Sequence, residues 1–376
     1  MRNFNKMNIP TALLTGMNSA ASRAKFAALV ATFLGIAMLV PVASFATLPR
    51  GFAGVLADGP AIDGTVSFDA QVKAMKRNSV GWIRLPVYWS QIELQKGQFD
   101  FTVLDSEMKA AAASGIPVMP VVLGAPAWAA APPEGLNSHP SDVADYGHFL
   151  AVLAGRYGTH GSYWSQQSGP SMPITKWQIW NEPDLDVYWR ADGRSWELSY
   201  VPLLRAARVA LAGADPKARV VLAGLSNYSW LSLGRLYRDG GRGLFDYAAL
   251  NPFSNTAAGV LEIVRRSRVV MSQHGDSSKP LIISEVAWSS GKGLAKQKFG
   301  WETTESGQAA QLTSLMRGLE LKRKAYRLDG VAWATWLSPA LGSPWSFDYS
   351  GLNRLVGNKV VAKPALAAFR NSVSKR

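Results

Sequence analysis

The chain of 376 residues contains no cysteine. Disulfide bonds, thiol nucleophiles and cysteine-ligated metals are therefore excluded, and the fold must be held together by its apolar core. Histidine is scarce too, and the four side chains show no metal-ligand spacing: His139, His148, His160 and His274. We therefore expect neither a metal nor a cofactor.

Acidic residues are outnumbered by basic ones, 26 to 40, which gives a formal net charge of +14. No stretch resembles a nucleic-acid-binding motif, so we expect no nucleic-acid partner. Most basic clusters are solvated helix faces or loops, but an anionic polysaccharide is one partner that such a charge would attract. With 48% hydrophobic and 18% charged residues, the chain can bury a substantial core.

The first 46 residues contain four basic side chains and no acid. An uncharged apolar run at 26–40 is followed by Pro41 and by the small-x-small site at 44–46. This pattern predicts a secretory signal cleaved after Ala46, with an uncleaved anchor as the alternative. We expect the remainder, 47–376, to be a periplasmic or extracellular monomer, without stable membrane insertion once the signal is removed.

Short apolar runs alternate with amphipathic helical stretches from residue 50 onward. Eight strands are predicted, at 51–57, 81–85, 116–123, 177–182, 219–223, 245–250, 281–285 and 330–336. This alternation predicts parallel strands with right-handed crossovers. The length of this segment suits a single domain of the α/β class, the closed (β/α)8 TIM barrel. An open doubly wound sheet is the alternative, disfavoured because no glycine-rich phosphate loop follows the first strand.

Two of the predicted strands end in a glutamate. Residues 177–183 place Asn181 and Glu182 at the tip of strand four, and Glu285 ends strand seven. Because all strands of a parallel barrel end at one face, the two carboxyls can meet across its mouth. Cleavage of a glycosidic bond needs such a pair, and an amide beside them can bind the sugar hydroxyl next to the reacting carbon.

Other side chains are candidates for substrate contacts. Arg84 lies near the tip of strand two, where its guanidinium beside Glu285 would keep that carboxyl ionised and select it as the nucleophile. A structural ion pair is the alternative role for Arg84. Trp128, Trp288 and Trp336 are candidate flat surfaces for sugar rings, with core packing as the alternative.

The motifs at 177–183 and 282–288 resemble the acid/base and nucleophile motifs of the clan A glycoside hydrolases. The chain is most similar to glycoside hydrolase family 39 and to the PslG-type exopolysaccharide hydrolases, with further likeness at 82–84, 89–105 and 126–128. The resemblance implies Glu182 as general acid/base, Asn181 as partner of the 2-hydroxyl and Glu285 as nucleophile.

One motif departs from that pattern. Strand six of the relatives commonly ends in His-Pro-Tyr, whereas residues 251–253 are Asn-Pro-Phe. Phe253 has no hydroxyl with which to bond the nucleophile. Another residue must supply that contact, or the sugar subsite differs.

These features together predict an exported, retaining β-glycoside hydrolase that acts on a polysaccharide through two glutamates. The expected substrate is a bacterial exopolysaccharide or a plant-wall β-glycan. A transglycosylase is a chemically close alternative. A non-catalytic glycan-binding component of a polysaccharide export system is the alternative from another class.

Overall fold

The computed structural model describes residues 48–132, 138–191 and 193–374. The predicted signal segment, residues 1–46, lies outside the described residues. Within these ranges, no helix has the length and apolar character needed to cross a bilayer.

Eight parallel strands form a closed barrel, and each pairs with the next in sequence until β8 pairs with β1. They are β1 (Ala53–Leu56), β2 (Ile83–Tyr88), β3 (Val118–Leu123), β4 (Lys176–Ile179), β5 (Arg219–Leu225), β6 (Tyr247–Leu250), β7 (Leu281–Val286) and β8 (Leu328–Trp333). All six residues of β3 are buried, as expected for a parallel strand inside a barrel that is covered by helices. The predicted (β/α)8 TIM barrel is confirmed.

In the part of the chain that the structure describes, ten α-helices lie between or after the strands. They are α1 (Phe68–Arg77), α2 (Trp89–Ile92), α3 (Thr102–Ser114), α4 (Val143–Tyr157), α5 (Ser162–Gln166), α6 (Glu197–Ala214), α7 (Ser229–Arg238), α8 (Ala257–Gln273), α9 (Glu305–Lys322) and α10 (Pro364–Asn371). Gly115 ends α3 with a φ of 62°, a left-handed conformation that glycine adopts at low cost. Asp142 caps α4, because its side chain accepts from the N–H of Ala144, and the hydroxyl of Ser141 donates to the carbonyl of Ala129.

The segment after β8 contains a small sheet that the sequence pattern does not predict. Its three strands are β9 (Leu337–Ser338), β10 (Asn353–Val356) and β11 (Lys359–Ala362). Strand β10 pairs with β9 in parallel and with β11 antiparallel. The predicted eighth strand at 330–336 therefore ends early, at Trp333, and Trp336 follows the barrel strand instead of closing it.

Candidate functional site

The tip of β4 leaves the strand through two unusual backbone conformations. The strand ends at Ile179, three residues before the predicted end, because Trp180 has a φ of 69° and Glu182 a φ of 43°. Both angles lie in the left-handed region that residues other than glycine seldom adopt. Backbone hydrogen bonds hold the turn: the Trp180 N–H donates to Val122 at 3.0 Å and the Glu182 N–H to Gly224 at 3.1 Å. Strain maintained by neighbouring strands is typical of functional sites.

Arg84 connects the tips of three strands. From β2, its Nη1 donates to Glu285 Oε1 on β7 at 2.7 Å. Its Nη2 donates to Asn181 Oδ1 at 2.8 Å, and its Nε to Gln178 Oε1 at 2.6 Å. Arg84 is only 2% exposed, so the guanidinium is fixed at the centre of the site. The structure thus brings together Arg84, Asn181 and Glu285.

Asn251 completes this group from the end of β6. Its Nδ2 donates to Glu182 Oε1 at 2.9 Å and to Asn181 Oδ1 at 3.2 Å. Its own oxygen accepts from the hydroxyl of Ser284 at 2.7 Å, which fixes the orientation of the amide. In the sequence, Asn251 stood out only as a departure from a familiar motif. In the structure it is the residue that positions the Glu182 carboxyl.

Gly224 on β5 makes room for that arrangement. A Cβ at this position would lie 2.3 Å from Asn251 Oδ1 and 2.5 Å from the hydroxyl of Ser284. Such distances are far below normal van der Waals contact, so only glycine allows the two side chains their positions. Nothing in the sequence around Gly224 indicated this role.

Burial raises the pKa of both glutamates, and their neighbours distinguish them. Burial raises the pKa of Glu182 well above its usual value, and the charge of Glu285 raises it further, against the hydrogen bond from Asn251. Burial also raises the pKa of Glu285, but the charge and hydrogen bond of Arg84 oppose that rise. Glu285 therefore ionises before Glu182. One carboxyl that keeps its proton beside one that has lost it can act as acid and nucleophile.

A cavity of about 320 Å³ borders Glu285 and holds three further carboxyls: Asp58, Asp63 and Asp348. Asp58 lies two residues beyond the end of β1. Burial raises its pKa to about 6; the hydrogen bond from Thr335 opposes this and the charge of Glu285 adds to it. None of these three carboxyls was predicted from the sequence, although Asp58 follows an apolar strand much as Glu285 ends one.

Two tyrosines lie near the glutamates. Burial first, and then the charge of Asp58, raise the pKa of Tyr88 at the end of β2. Burial followed by the charges of Glu182 and Glu285 raises the pKa of Tyr188, in the loop after β4. Both hydroxyls therefore keep their protons at neutral pH. Tyr88 and Tyr188 therefore provide phenol groups near the glutamates, whereas Phe253 has no hydroxyl.

The three predicted tryptophans occupy different environments. Trp336 and Trp288 are each 1% exposed. The indole N–H of Trp336 donates to Gln71, and the ring of Trp288 packs against Trp333. Neither offers a free face to a sugar, so their placement fits the core alternative. Trp128 is only partly buried, and its N–H donates to the carbonyl of Glu93.

No group of three or more acidic or histidine side chains in the described ranges is arranged to hold a metal ion.

Comparisons with known proteins agree with this architecture. The family model Glyco_hydro_42, described as beta-galactosidase, matches residues 64–150. A family 39 glycoside hydrolase from Bacteroides cellulosilyticus WH2 has a TM-score of 0.65 at 18% identity. The match covers 87% of this chain and 64% of that one, so the chain spans less than two thirds of that relative.

Other solved structures of the same kind are similar. A monomeric beta-xylosidase from Caulobacter crescentus CB15 has a TM-score of 0.62 at 17% identity, covering 86% of this chain and 68% of that one. The endoglucanase Cel5A of Pseudomonas stutzeri has a TM-score of 0.57 at 12% identity, covering 86% and 94%. No curated protein matches the chain. The resemblance to clan A glycoside hydrolases, and to family 39 among them, is confirmed at the level of the fold.

Proposed function

We propose that this protein is a retaining glycoside hydrolase that cleaves a polysaccharide. One observation carries the proposal: two carboxyls at the tips of β4 and β7 share a site in which Arg84 donates a hydrogen bond to Glu285 and so favours its ionised form, whereas burial and the charge of Glu285 raise the pKa of Glu182. Hydrolysis with retention needs one carboxyl that donates a proton and a second, ionised carboxyl that acts as the nucleophile. The similarity of the fold to glycoside hydrolases supports the same conclusion.

The reaction proceeds in two displacements. Glu182 donates its proton to the glycosidic oxygen while a Glu285 oxygen attacks the anomeric carbon, which breaks the bond to the leaving sugar and forms a glycosyl ester. Esterification removes the negative charge of Glu285, and that charge is one cause of the raised pKa of Glu182. The pKa of Glu182 then falls. The carboxylate can take a proton from the water that releases the sugar from Glu285.

Asn181 is oriented for the role that the resemblance implies. Its oxygen accepts from Arg84 and from Asn251, so the amide cannot turn without losing both hydrogen bonds. Its Nδ2 is the donor end of the same amide. A hydrogen bond from this nitrogen to the sugar 2-hydroxyl would strengthen as charge develops in the transition state.

The charges around the site bear on the substrate. The chain is basic overall, which is compatible with an anionic polysaccharide. The cavity beside Glu285, however, is lined by three carboxyls, and these would repel an acidic group. We therefore propose a neutral sugar at that position, within a bacterial exopolysaccharide or a plant-wall β-glycan that the exported enzyme meets outside the cytoplasm.

Substitution of each glutamate should change the activity in a different way. Glu285→Gln should abolish hydrolysis yet retain glycan binding. Glu182→Gln should still cleave nitrophenyl glycosides, whose leaving group needs little protonation, and added azide should be captured as a glycosyl azide. Glu262→Gln on α8, exposed and paired with Arg265 and Arg266, is the matched control and should be unaffected.

The product configuration tests the mechanism independently. Proton NMR of a fresh digest should show the anomer with the configuration of the substrate. An inverted product, or full activity of Glu285→Gln, would refute the assignment. Products longer than the substrate would identify a transglycosylase, and glycan binding without any cleavage would identify a binding protein.

A further inference from the structure

Four aromatic rings from three loops form a cluster at the catalytic face. Phe253 follows β6, Phe299 and Trp301 lie in the loop after β7, and Phe347 follows β8. The ring centroids of Phe253 and Trp301 are 5.2 Å apart in a stacked arrangement. The Phe347 ring meets Trp301 edge-on at 4.7 Å and Phe299 at 5.0 Å. We call these four residues the aromatic ledge.

The ledge has a buried base and an exposed top. Phe253 and Trp301 are 7% and 5% exposed, whereas Phe299 and Phe347 are 49% and 39% exposed. Two large apolar rings thus remain in water beside each other although buried rings support them. Adjacent exposed rings of this kind usually mark a binding surface.

The ledge is continuous with the proposed active site. Phe347 lines the same cavity as Glu285. At the other end of the cluster, Phe253 lies two residues after Asn251, whose amide donates to Glu182. In a (β/α)8 barrel, loops after strands lie at the face where substrates bind. The exposed rings therefore extend the cleft away from the two glutamates.

We propose that the aromatic ledge binds additional sugar rings of a polysaccharide chain whose cleavage point lies at Glu182 and Glu285. This inference rests on the proposed function and adds that the enzyme acts on chains. The faces of Phe299 and Phe347 carry the negative side of the ring quadrupole, which attracts the slightly positive C–H groups on the apolar face of a sugar ring. The position beside the nucleophile favours a sugar ligand over a protein partner, because only the substrate has to occupy both the aromatic ledge and the site of the two glutamates.

The ledge is arranged before any ligand arrives. Both Phe299 and Gly300 donate their N–H groups to the carboxyl of Glu302, at 2.6 and 3.0 Å. The Phe253 N–H donates to the side chain of Asn227 at 2.8 Å. A surface held by such contacts loses little conformational freedom on binding, and this favours affinity.

The test compares long and short substrates. Phe299→Ala, Phe347→Ala and the double variant are assayed on xylohexaose, cellohexaose and mannohexaose and on the nitrophenyl monoglycosides of the same sugars. The ratio of kcat/KM for the hexasaccharide to that for the monoglycoside should fall about tenfold in the double variant, mainly through KM. Leu321→Ala is the matched control, because its side chain is 72% exposed and it lies at the end of α9 opposite to the loop that contains Trp301.

A binding measurement separates the ledge from the reaction. The same substitutions are placed in Glu285→Gln, and hexasaccharide binding is followed by calorimetry and by the fluorescence of the tryptophans, which include Trp301. Weaker hexasaccharide binding in the ledge variants supports the ledge even if no cleavage occurs. An unchanged ratio together with unchanged binding, or no hexasaccharide binding at all, overturns it. Absence of cleavage by the wild type would instead refute the proposed function.

Discussion

Replacing Arg84 by methionine tests the electrostatics of the site most directly. Methionine fills a similar volume but removes one hydrogen-bond donor from each of three acceptors: Gln178, Asn181 and the Glu285 carboxylate. Removing one partner of a buried ion pair costs about 3–5 kcal/mol. Because the Arg84 side chain is 2% exposed and that of Glu285 14% exposed, water can replace little of the lost interaction. We therefore expect a loss of about 3–5 kcal/mol in unfolding free energy at neutral pH.

The loss should depend on pH in a defined direction. Burial already raises the pKa of Glu285, and the variant removes the charge and hydrogen bond of Arg84, the two largest causes that oppose this rise, so the pKa rises further. A carboxyl whose pKa is raised by folding destabilises the folded state at a pH above its folded pKa. This penalty disappears at a pH below the ordinary glutamate value of 4.5. The stability deficit of Arg84→Met should therefore shrink on acidification.

Activity provides the second measurement. If Glu285 has to be ionised to attack, the acidic limb of the kcat/KM profile should move to higher pH in Arg84→Met. Arg156→Met is the matched control, since Arg156 pairs with Asp105 between α4 and α3, where the side chains are 22% and 26% exposed. That variant should leave the acidic limb in place. An unshifted limb in Arg84→Met, measured on folded protein, would refute the nucleophile assignment.

Three further predictions follow from the neighbouring contacts. Asn251→Ala should raise the pKa of Glu182, because the hydrogen bond from Asn251 lowers it, and the basic limb of kcat/KM should move to higher pH; an unmoved limb would contradict the assignment of Glu182 as the acid. Gly224→Ala should reduce kcat at least tenfold by displacing Asn251, about 1.4 kcal/mol of barrier. Gly155→Ala, which has open space at the new Cβ, should not reduce kcat. An equal loss of kcat in both variants would point to a general effect on folding. Burial lowers the pKa of Lys363 to about 7, so the wild type should gain stability as the pH rises from about 7 to the ordinary value of 10.5. Denaturant unfolding of Lys363→Met should lack this part of the gain, and an unchanged pH dependence would show that Lys363 does not titrate as described.

Features set by local periodicity could be predicted from the sequence. The apolar runs marked all eight barrel strands, because strands covered on both faces need uninterrupted apolar residues, as in β3. Glu182 and Glu285 stood out because a carboxyl directly after such a run is unusual. The small sheet after β8 was missed because its strands have two to four residues, too short for a recognisable period.

Features set by contacts between residues far apart in the sequence could not be predicted in this way. Asn251, Ser284 and Gly224 form one arrangement from β6, β7 and β5, and no local pattern announces it. Two tryptophans were predicted to contact sugar but are buried in the structure. Trp288 and Trp336 follow apolar runs as a sugar platform would, but the direction of a side chain beyond a strand end depends on the loops packed around it.

The short turn from Asn251 to Phe253 limits how this protein could be redesigned. One end of the turn orients the carboxyl of Glu182, and the other end supports the exposed rings of the aromatic ledge. Changes at Phe253 would therefore alter turnover and chain preference together. Phe299 and Phe347 have no such link to the acid, so directed evolution toward a new glycan should start from those two positions.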